Sequence, residues 1–330
     1  MAVTGAAGKD VGARVSVLAP SPLLTVTLEG TGGPGDAEVH LHPGGQGFWI
    51  ARLIGELGVD VVLCATFGGE TGRVARSLLE AEPLRLRAVE TAGVNGAYVD
   101  DRRGGERVRV GTMATAGLSR HEVDELYGVA LVEGLDATVS VLGGPSVPEP
   151  ILPADIYRRL AADLVANDRL VVADLSGEPL AAAVEGGATV IKVSHEELLR
   201  DRLAGDDSVP ALVTAMRALG AKGQAAVVCS RADQPALAIF DGRTVEVHGP
   251  VVEATDPRGA GDSFTAGMAA ALARGRAFEH ALRLGTAAGG LNVTRRGLGT
   301  GGRDEIERLA EHVEVRDIEP QIGVATCAPS

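Results

Sequence analysis

The chain has 330 residues, of which 45% are hydrophobic and only 3% aromatic, and its formal net charge is −13 at pH 7. This length accommodates one large α/β domain with an accessory part or two ordinary domains, and an aromatic-poor core is typical of parallel sheets covered by helices. The acidic balance argues against a surface for nucleic acid or an anionic membrane, because either needs a basic footprint, but it permits a local cationic pocket.

Short β-branched runs alternate with helical patterns from about residue 14 to 230. They read "RVSVLAP", "GFWIARLIGELG", "VDVVLCATFG", "GRVARSLLEAE", "ATVSVLGG", "ADIYRRLAADLVAN", "RLVVADLS", "PLAAAVEGG", "ATVIKVS", "VPALVTAMRALGA" and "QAAVVCS". Strands and helices that alternate at this spacing predict a doubly wound, mostly parallel α/β sheet flanked by helices. We expect one domain over 14–322, with disordered ends at 1–13 and 323–330.

Two segments, 23–43 and 96–113, interrupt this alternation. Each alternates apolar and polar residues around a Gly-rich turn, which predicts a β-hairpin rather than a crossover. Together the hairpins are expected to form a small sheet that acts as a lid over the main one.

Other short patterns give weaker indications. "GTGGPG" (30–35) lies between strand-like runs and indicates a hairpin turn, while "GLGTGG" (297–302) indicates a loop and helix cap. The sequence lacks G-x-x-x-x-G-K-[ST], which excludes a P-loop. Cys64, Cys229 and Cys327 have no metal or redox spacing and are expected to be reduced thiols. No signal-peptide or membrane-spanning pattern occurs, so we expect a cytoplasmic protein.

The stretch "EATDPRGAGDSFTAGMAAALARG" (253–275) carries the strongest chemical signal. Gly259, Ala260 and Gly261 lack bulky side chains directly before a helix, whose free N–H groups and dipole favour an anion. Asp262 is either the N-cap of that helix or a base for a hydroxyl group next to the anion site. Both interpretations are compatible with phosphoryl transfer to an alcohol.

Two motifs resemble the signatures of the PfkB, or ribokinase-like, carbohydrate kinases. "TDPRGAGDSFTAG" resembles their C-terminal D-T-x-G-A-G-D, and "PGGQGFWIARLIGELG" (43–58) resembles their G-G-x-G-x-N-x-A-x-x-L-x-x-L-G. The resemblance covers about residues 14 to 312. It implies a ribokinase-like fold and an ATP- and Mg²⁺-dependent kinase acting on a hydroxyl of a small carbohydrate-like substrate.

The resemblance also assigns roles to individual residues. It makes Asp262 the catalytic base, with the backbone of Gly259, Ala260 and Gly261 holding the charge of the γ-phosphate. "VIKVSHEEL" (190–198) resembles K-P-N-x-x-E-L, which places Glu197 near Mg²⁺. The expected nucleotide-binding residues are Lys192, Ser194, Ser230, Thr255, Asp256 and Arg258. The expected substrate-binding residues are Gly44, Gly45, Gln46, Gly47, Trp49 and Asn95.

Several of these assignments have alternatives. Lys192 is otherwise an exposed lysine at a helix entry, and Arg258 either contacts a phosphate or faces solvent. Trp49 is either a stacking platform for a sugar or base or a core residue. Gly44, Gly45 and Gly47 are expected to admit a sugar ring.

Within the family, "DLSGEPLAAAVEGGATVIKVSHEEL" most resembles the branch that phosphorylates sugar phosphates, the 1-phosphofructokinases and tagatose-6-phosphate kinases. Four positions depart from that branch, where an Asp, a Lys, an Asn and an Arg are replaced by Leu23, Gln46, Trp49 and Gly93. The substrate pocket is therefore expected to be less polar. Hairpin residues that either replace those contacts or are merely solvated are His40, His42, Arg102 and Arg103.

Two other functions remain open at this point. One is a sugar- or nucleotide-binding sensor that kept the fold without efficient catalysis, and the other is a nucleoside kinase that uses Trp49 for base stacking. The resemblance also implies a homodimer formed through the lid. Fold similarity alone does not fix the substrate.

Overall fold

The computed structural model describes residues 12–31, 36–144, 151–223, 225–295 and 299–318. Several predictions concern residues outside these ranges. They are the disorder of residues 1–11 and 323–330, the reduced thiol of Cys327 and the turn within 30–35. The same holds for part of 297–302, and a domain boundary at 322 stays a prediction.

A large sheet runs through the centre of the molecule. Its ten strands lie in the order β14-β13-β12-β11-β10-β9-β8-β1-β4-β5. All neighbours from β11 to β5 are parallel, and β11 to β14 pair antiparallel. The bounds are β1 Arg14–Ala19, β4 Asp60–Gly68, β5 Arg85–Thr91, β8 Val139–Gly143, β9 Leu170–Asp174, β10 Val190–Ser194, β11 Ala226–Arg231, β12 Gln234–Phe240, β13 Arg243–His248 and β14 Glu314–Asp317.

Helices cover both faces of this sheet. They are α1 Gln46–Glu56, α2 Gly69–Glu80, α3 Arg120–Asp136, α4 Ala154–Val165, α5 Gly177–Glu185, α6 His195–Arg200, α7 Val209–Gly223, α8 Ala260–Ala273, α9 Phe278–Val293 and α10 Arg303–Ala310. One hydrophobic core contains residues of α1, α2, α8, α9 and α10, and the other contains residues of α3 to α7. The expected doubly wound α/β fold is thus confirmed.

Strand β1 shows why the sequence produces two cores. Its side chains alternate, so that Val15 and Val17 join the first core while Leu18 joins the second. A strand buried on both faces reads as a nearly continuous apolar run, as "RVSVLA" does. Cys64 and Cys229 are buried in the second core and form no disulfide, as expected.

The two interrupting segments form a separate four-stranded sheet, in the order β3-β2-β6-β7. Its strands are β2 Leu23–Gly30, β3 Ala37–Gly44, β6 Ala97–Asp101 and β7 Val108–Met113. β2 and β3 pair antiparallel, as do β6 and β7, so both segments are hairpins, and β2 joins them by pairing parallel with β6. In the described part of the chain, no helix is long and apolar enough to cross a membrane.

Candidate active site

The Gly259–Gly261 loop leads directly into α8 and overlaps its first turn, because the helix begins at Ala260. Gly259 is the N-cap residue and has φ 70°, in the left-handed region that glycine tolerates best. Among the described residues no side chain caps this end, and N–H groups of a first helical turn lack intrahelical acceptors. The loop therefore presents an anion-binding terminus. Asp262 is the third residue of the helix, so its interpretation as the N-cap was wrong.

The Asp262 carboxyl group lies in an environment that resists ionisation. Burial and the negative charges of Asp174 and Glu197 raise its pKa to about 7, against the opposing effect of Lys192. A carboxylate with a pKa near the working pH is suited to accept a proton during a reaction. This acid consequently differs from an ordinary helix-terminal aspartate, which would remain fully ionised at neutral pH.

Lys192 lies in β10 and is only 5% exposed. The alternative of an exposed lysine at a helix entry is therefore wrong. Its Nζ atom is so close to Gly261 that a Cβ atom added there would lie 2.8 Å from it. Although burial opposes the charged form, the carboxylates of Asp174, Asp262 and Glu197 raise its pKa, so the ammonium group stays charged against the glycine loop.

Two buried residues that the sequence analysis did not single out complete this cluster. Asp174, at the end of β9, is 2% exposed and accepts a hydrogen bond from Lys192 Nζ at 3.2 Å. Its other oxygen accepts a bond from the hydroxyl of Thr265 in α8 at 2.6 Å. The sequence did contain a signal for Asp174, since it is a carboxylate at the end of an apolar strand and ligands bind at the carboxyl ends of parallel strands.

The expected nucleotide residues of β10 and β11 lie side by side. Ser194 pairs with Ser230 in the sheet register, and the Ser230 hydroxyl donates to the Val193 carbonyl at 3.4 Å. Ser194 also caps α6 reciprocally with Glu197, whose carboxylate accepts from the Ser194 amide at 2.8 Å. Both strands thus end at the same edge of the sheet as Lys192.

The segment before the glycine loop is held by α9 and by its own ion pair. The amides of Thr255 and Asp256 both donate to the Val293 carbonyl, at 2.7 and 3.1 Å. The Arg258 side chain is 41% exposed and pairs with the Asp256 carboxylate, so it faces solvent, and its contact with a phosphate stays a prediction. Arg102, from the β6–β7 hairpin, lies 3.9 Å from Asp256 and brings the small sheet into contact with this segment.

The glycines of the "PGGQG" motif prove to serve different purposes. Gly45 has φ 108° and begins the turn into α1. A Cβ atom on Gly47 would lie 2.4 Å from the Cβ atom of Ala19, so the missing side chain allows α1 to pack on β1. This packing explains the glycine without a ligand, and the expectation that Gly47 admits a sugar ring stays a prediction. Gly44 ends β3, and the Gln46 amide oxygen accepts a bond from the Gly144 amide at 3.0 Å.

Trp49 and Asn95 are also engaged by the protein itself. Trp49 is partly buried, packs against the first core, and lies 4.6 Å from Phe48 between ring centroids, as its core interpretation requires. Asn95 is 2% exposed. Its amide nitrogen donates to Ser21, Pro22 and Thr66, and its oxygen accepts from Gly68. An amide has two N–H donors, so Asn95 has none left for a substrate.

The family of the chain follows from its similarity to known proteins. The model of the pfkB family carbohydrate kinases matches residues 27–305 of the chain. The chain belongs to the pfkB family. It is accordingly an enzyme of the carbohydrate-kinase class, a family whose general reaction is ATP-dependent phosphoryl transfer.

Individual pfkB-family proteins match over most of their length. The chain is 28% identical to the 1-phosphofructokinase of Bacillus subtilis over 274 residues, covering 83% of this chain and 88% of that one. It is 29% identical to the ATP-dependent 6-phosphofructokinase isozyme 2 of Escherichia coli over 275 residues, covering 81% and 87%. The tetrameric inhibited form of phosphofructokinase-2 from Escherichia coli has a TM-score of 0.78 at 25% identity, covering 90% of this chain and 98% of that chain. The ribokinase-like fold is therefore confirmed.

The site also fits the magnesium nucleotide that pfkB-family kinases typically use. A Cβ atom on Gly261 would intrude on the Lys192 ammonium group, which leaves a side-chain-free cradle beside a cation. Within the described residues, no group of three or more His, Cys, Asp or Glu is arranged to hold a metal. Mg²⁺ is usually held by one or two carboxylates together with substrate phosphates.

Proposed function

We propose that the protein transfers the γ-phosphate of ATP to a hydroxyl group of a sugar or sugar phosphate, with Asp262 as the general base. The observation that carries this proposal is the position of Asp262. Its carboxyl group, with a pKa of about 7, lies in the first helical turn after an uncapped glycine loop and beside a buried lysine. Phosphoryl transfer needs a proton acceptor, an anion site and a fixed positive charge at one place.

In the proposed reaction, the Asp262 carboxylate accepts the proton of the acceptor hydroxyl while that oxygen bonds to the γ-phosphorus. The bond from this phosphorus to the oxygen shared with the β-phosphate breaks, and ADP leaves. The backbone amides of Gly259, Ala260 and Gly261 stabilise the charge on the transferred group. Glu197 would hold Mg²⁺ together with the phosphates, and the bound ion would supply further charge neutralisation.

The nucleotide is proposed to lie along the carboxyl edge of β10 and β11, where Lys192 faces the phosphates. Ser194 ends β10, and Ser230 is the last residue but one of β11. Thr255, Asp256 and Arg258 lead into the glycine loop. Binding at the carboxyl ends of parallel strands is the general rule for open α/β sheets. The small sheet would close as a lid, and the 3.9 Å approach of Arg102 to Asp256 supports contact between lid and loop.

The substrate is proposed to bind between the small sheet and the start of α1, at Gly44, Gly45 and Gln46. The named relatives are phosphofructokinases, which makes fructose phosphates the first substrates to test. Gln46 and Gly93 stand where the resembling branch has cations, so a neutral sugar is the second class.

The test is ADP release by the purified protein with ATP and Mg²⁺ over hexoses, hexose phosphates, pentoses and nucleosides. Asp262→Asn should lower kcat at least about 100-fold, the lower end for general-base catalysis. Asp124→Asn, at an exposed acid on α3, serves as the matched control and should leave kcat unchanged. Substrate-independent nucleotide binding without turnover would instead indicate a sensor, and turnover confined to nucleosides would indicate a nucleoside kinase.

We also infer that two copies of the chain associate through the small sheet. Val39 and Leu41 in β3 are 61% and 45% exposed, and the register aligns Leu41 with Val26 and Val99 on the neighbouring strands. An exposed apolar row of this kind is typical of an interaction surface. Sedimentation should show a dimer that Leu41→Glu dissociates, while Val132→Glu, at an isolated exposed valine on α3, leaves it intact.

A further inference from the structure

Three elements of the fold meet at one buried carboxylate beneath the glycine loop. Asp174 ends β9, Lys192 lies in the neighbouring strand β10, and Thr265 lies in α8, three residues after Asp262. Each oxygen of Asp174 has one partner, Lys192 Nζ at 3.2 Å and the Thr265 hydroxyl at 2.6 Å. The carboxylate therefore links the sheet to the helix whose first turn carries the proposed base.

We infer that Asp174 and Thr265 are positioning residues that hold the Lys192 ammonium group against the Gly259–Gly261 loop, where the phosphates of the nucleotide bind. This inference rests on the proposed function, because it assumes that Lys192 serves the nucleotide. Neither positioning residue needs to touch substrate, since their effect passes through the lysine side chain.

Stability alone is a poor explanation for this cluster. All three residues are at most 5% exposed. Taking an ion pair out of water costs about as much as the pair returns, and apolar replacements are often neutral or stabilising. A buried charged pair at the edge of the sheet where ligands bind is better explained by a role in ligand binding or catalysis.

The charges around Lys192 indicate what the lysine would do without its partner. The other carboxylates that act on Lys192 are those of Asp262 and Glu197. If Asp174 lost its charge, the ammonium group would be drawn toward Asp262 and compete for the carboxylate that must accept a proton. Thr265 fixes the second oxygen of Asp174, and so sets the direction from which the first oxygen holds the lysine.

Thr265 allows positioning to be separated from packing, because it is fully buried. Thr265→Val keeps the volume of the side chain and removes the hydroxyl group, whereas Thr265→Ser keeps the hydroxyl group and leaves a methyl-sized gap. A packing role predicts that serine is the more harmful change. A positioning role predicts the reverse order in kcat/KM for ATP. The melting temperature does not rank the two variants, because valine also leaves a buried Asp174 oxygen without its donor.

The experiment measures kcat/KM for ATP, KM for the sugar, binding of a magnesium complex of a non-hydrolysable ATP analogue, and melting temperature. Asp174→Asn should lower kcat/KM for ATP about 10- to 100-fold, as expected for a lost bond between charged groups. Thr265→Val should lower it about 3- to 10-fold, and Thr265→Ser should remain within about 2-fold of the parent. KM for the sugar should change less than about 3-fold in all three variants, because the ground-state contacts of the sugar are unaffected.

Two comparison variants distinguish failure of the positioning role from a general loss of stability and from failure of the assumption that Lys192 serves the nucleotide. Glu133→Gln removes another buried carboxylate, paired with Arg87 at 3.0 Å and Arg14 at 3.5 Å, and should lower the melting temperature without changing ATP kinetics. Lys192→Met tests the underlying proposal. If it impairs ATP binding while Asp174→Asn and Thr265→Val do not, the positioning role is refuted and the proposed function stands. If Lys192→Met leaves ATP binding unchanged, Lys192 does not serve the nucleotide and the positioning role is refuted, whereas the kinase function is tested separately by ADP release with Asp262→Asn. A loss of kcat/KM for ATP in Glu133→Gln as large as that in Asp174→Asn also overturns the positioning role.

Discussion

Replacing Gly261 by alanine should impair the reaction of ATP far more than it affects the folded state. Gly261 is the second residue of α8, with a helical backbone that alanine adopts readily. Its Cβ atom would nevertheless lie 2.8 Å from Lys192 Nζ. Because the lysine is buried and bonded to Asp174, the added methyl group must displace the ammonium group from the cradle.

The magnitude follows from these distances. An ordinary contact needs about 3.5 Å, so the ammonium group must move by roughly 0.7 Å. The Lys192–Asp174 bond is already 3.2 Å long, and a hydrogen bond to a charged group contributes about 1.5–3 kcal/mol, which corresponds to about 10- to 100-fold in kcat/KM for ATP. Replacing a helical glycine by alanine gains about 0.5–1 kcal/mol, which offsets part of the strain in the folded state.

The assay is steady-state ADP release at varied ATP, with the melting temperature recorded on the same samples. Gly128→Ala is the matched control, because Gly128 lies within α3 and has no atom within 4 Å of an added Cβ. It should be slightly stabilised, with unchanged kinetics. If Gly261→Ala retained the parent kcat/KM for ATP, Lys192 would not have to lie where the structure places it, and the reasoning would be refuted.

Four further predictions concern Asp262, Gly47 and Asn95. Because the Asp262 pKa is raised from 3.8 to about 7, kcat/KM should fall as pH drops below about 7, and the pH–rate profile checks this. The folded protein holds that proton more tightly than the unfolded chain, so stability is lost as pH rises between those values, and Asp262→Asn should raise the free energy of unfolding at pH 8 by about 1–2 kcal/mol in denaturant titrations. Gly47→Ala should lower it by about 1–3 kcal/mol, because the new methyl group collides with Ala19. Asn95→Ala should cost about 2 kcal/mol or more, since the Gly68 amide loses its buried acceptor, and the melting temperature reports it.

The fold was largely predictable because its signals are local. Alternating apolar strands and helices predicted the parallel part of the sheet, and the Gly-rich turns predicted both hairpins. Helix α3 was missed, although Ser119 and Glu122 form a capping box at its start. Strands β12 and β13 were missed although the two-residue turn Asp241-Gly242 that joins them is a typical hairpin signal. Strand β14 was missed because its partner β13 lies far away in the chain.

The site was predictable only where a motif carries it. The glycine loop and Asp262 stand together in the sequence, whereas Asp174 lies 91 residues before Thr265 and shares no spacing rule with it. The packing role of Gly47 could not be predicted, because a glycine required by helix packing and a glycine required by a ligand look alike in the sequence. The internal hydrogen bonds of Asn95 could not be predicted for a similar reason, since an amide that binds backbone groups is indistinguishable from one that binds a sugar.

The outer strands of the large sheet limit how copies of the protein can associate. At one edge, β14 carries Glu314, Arg316 and Asp317, and at the other β5 carries Arg85, Arg87 and Glu90, all with side chains at least 48% exposed. Charged edges oppose the strand-to-strand joining that leads to aggregation. Removing the last four-residue strand would expose β13, whose Val245 and Val247 are buried, as a new apolar edge. The short strand β14 thus protects solubility, and a truncation for expression should not extend into it.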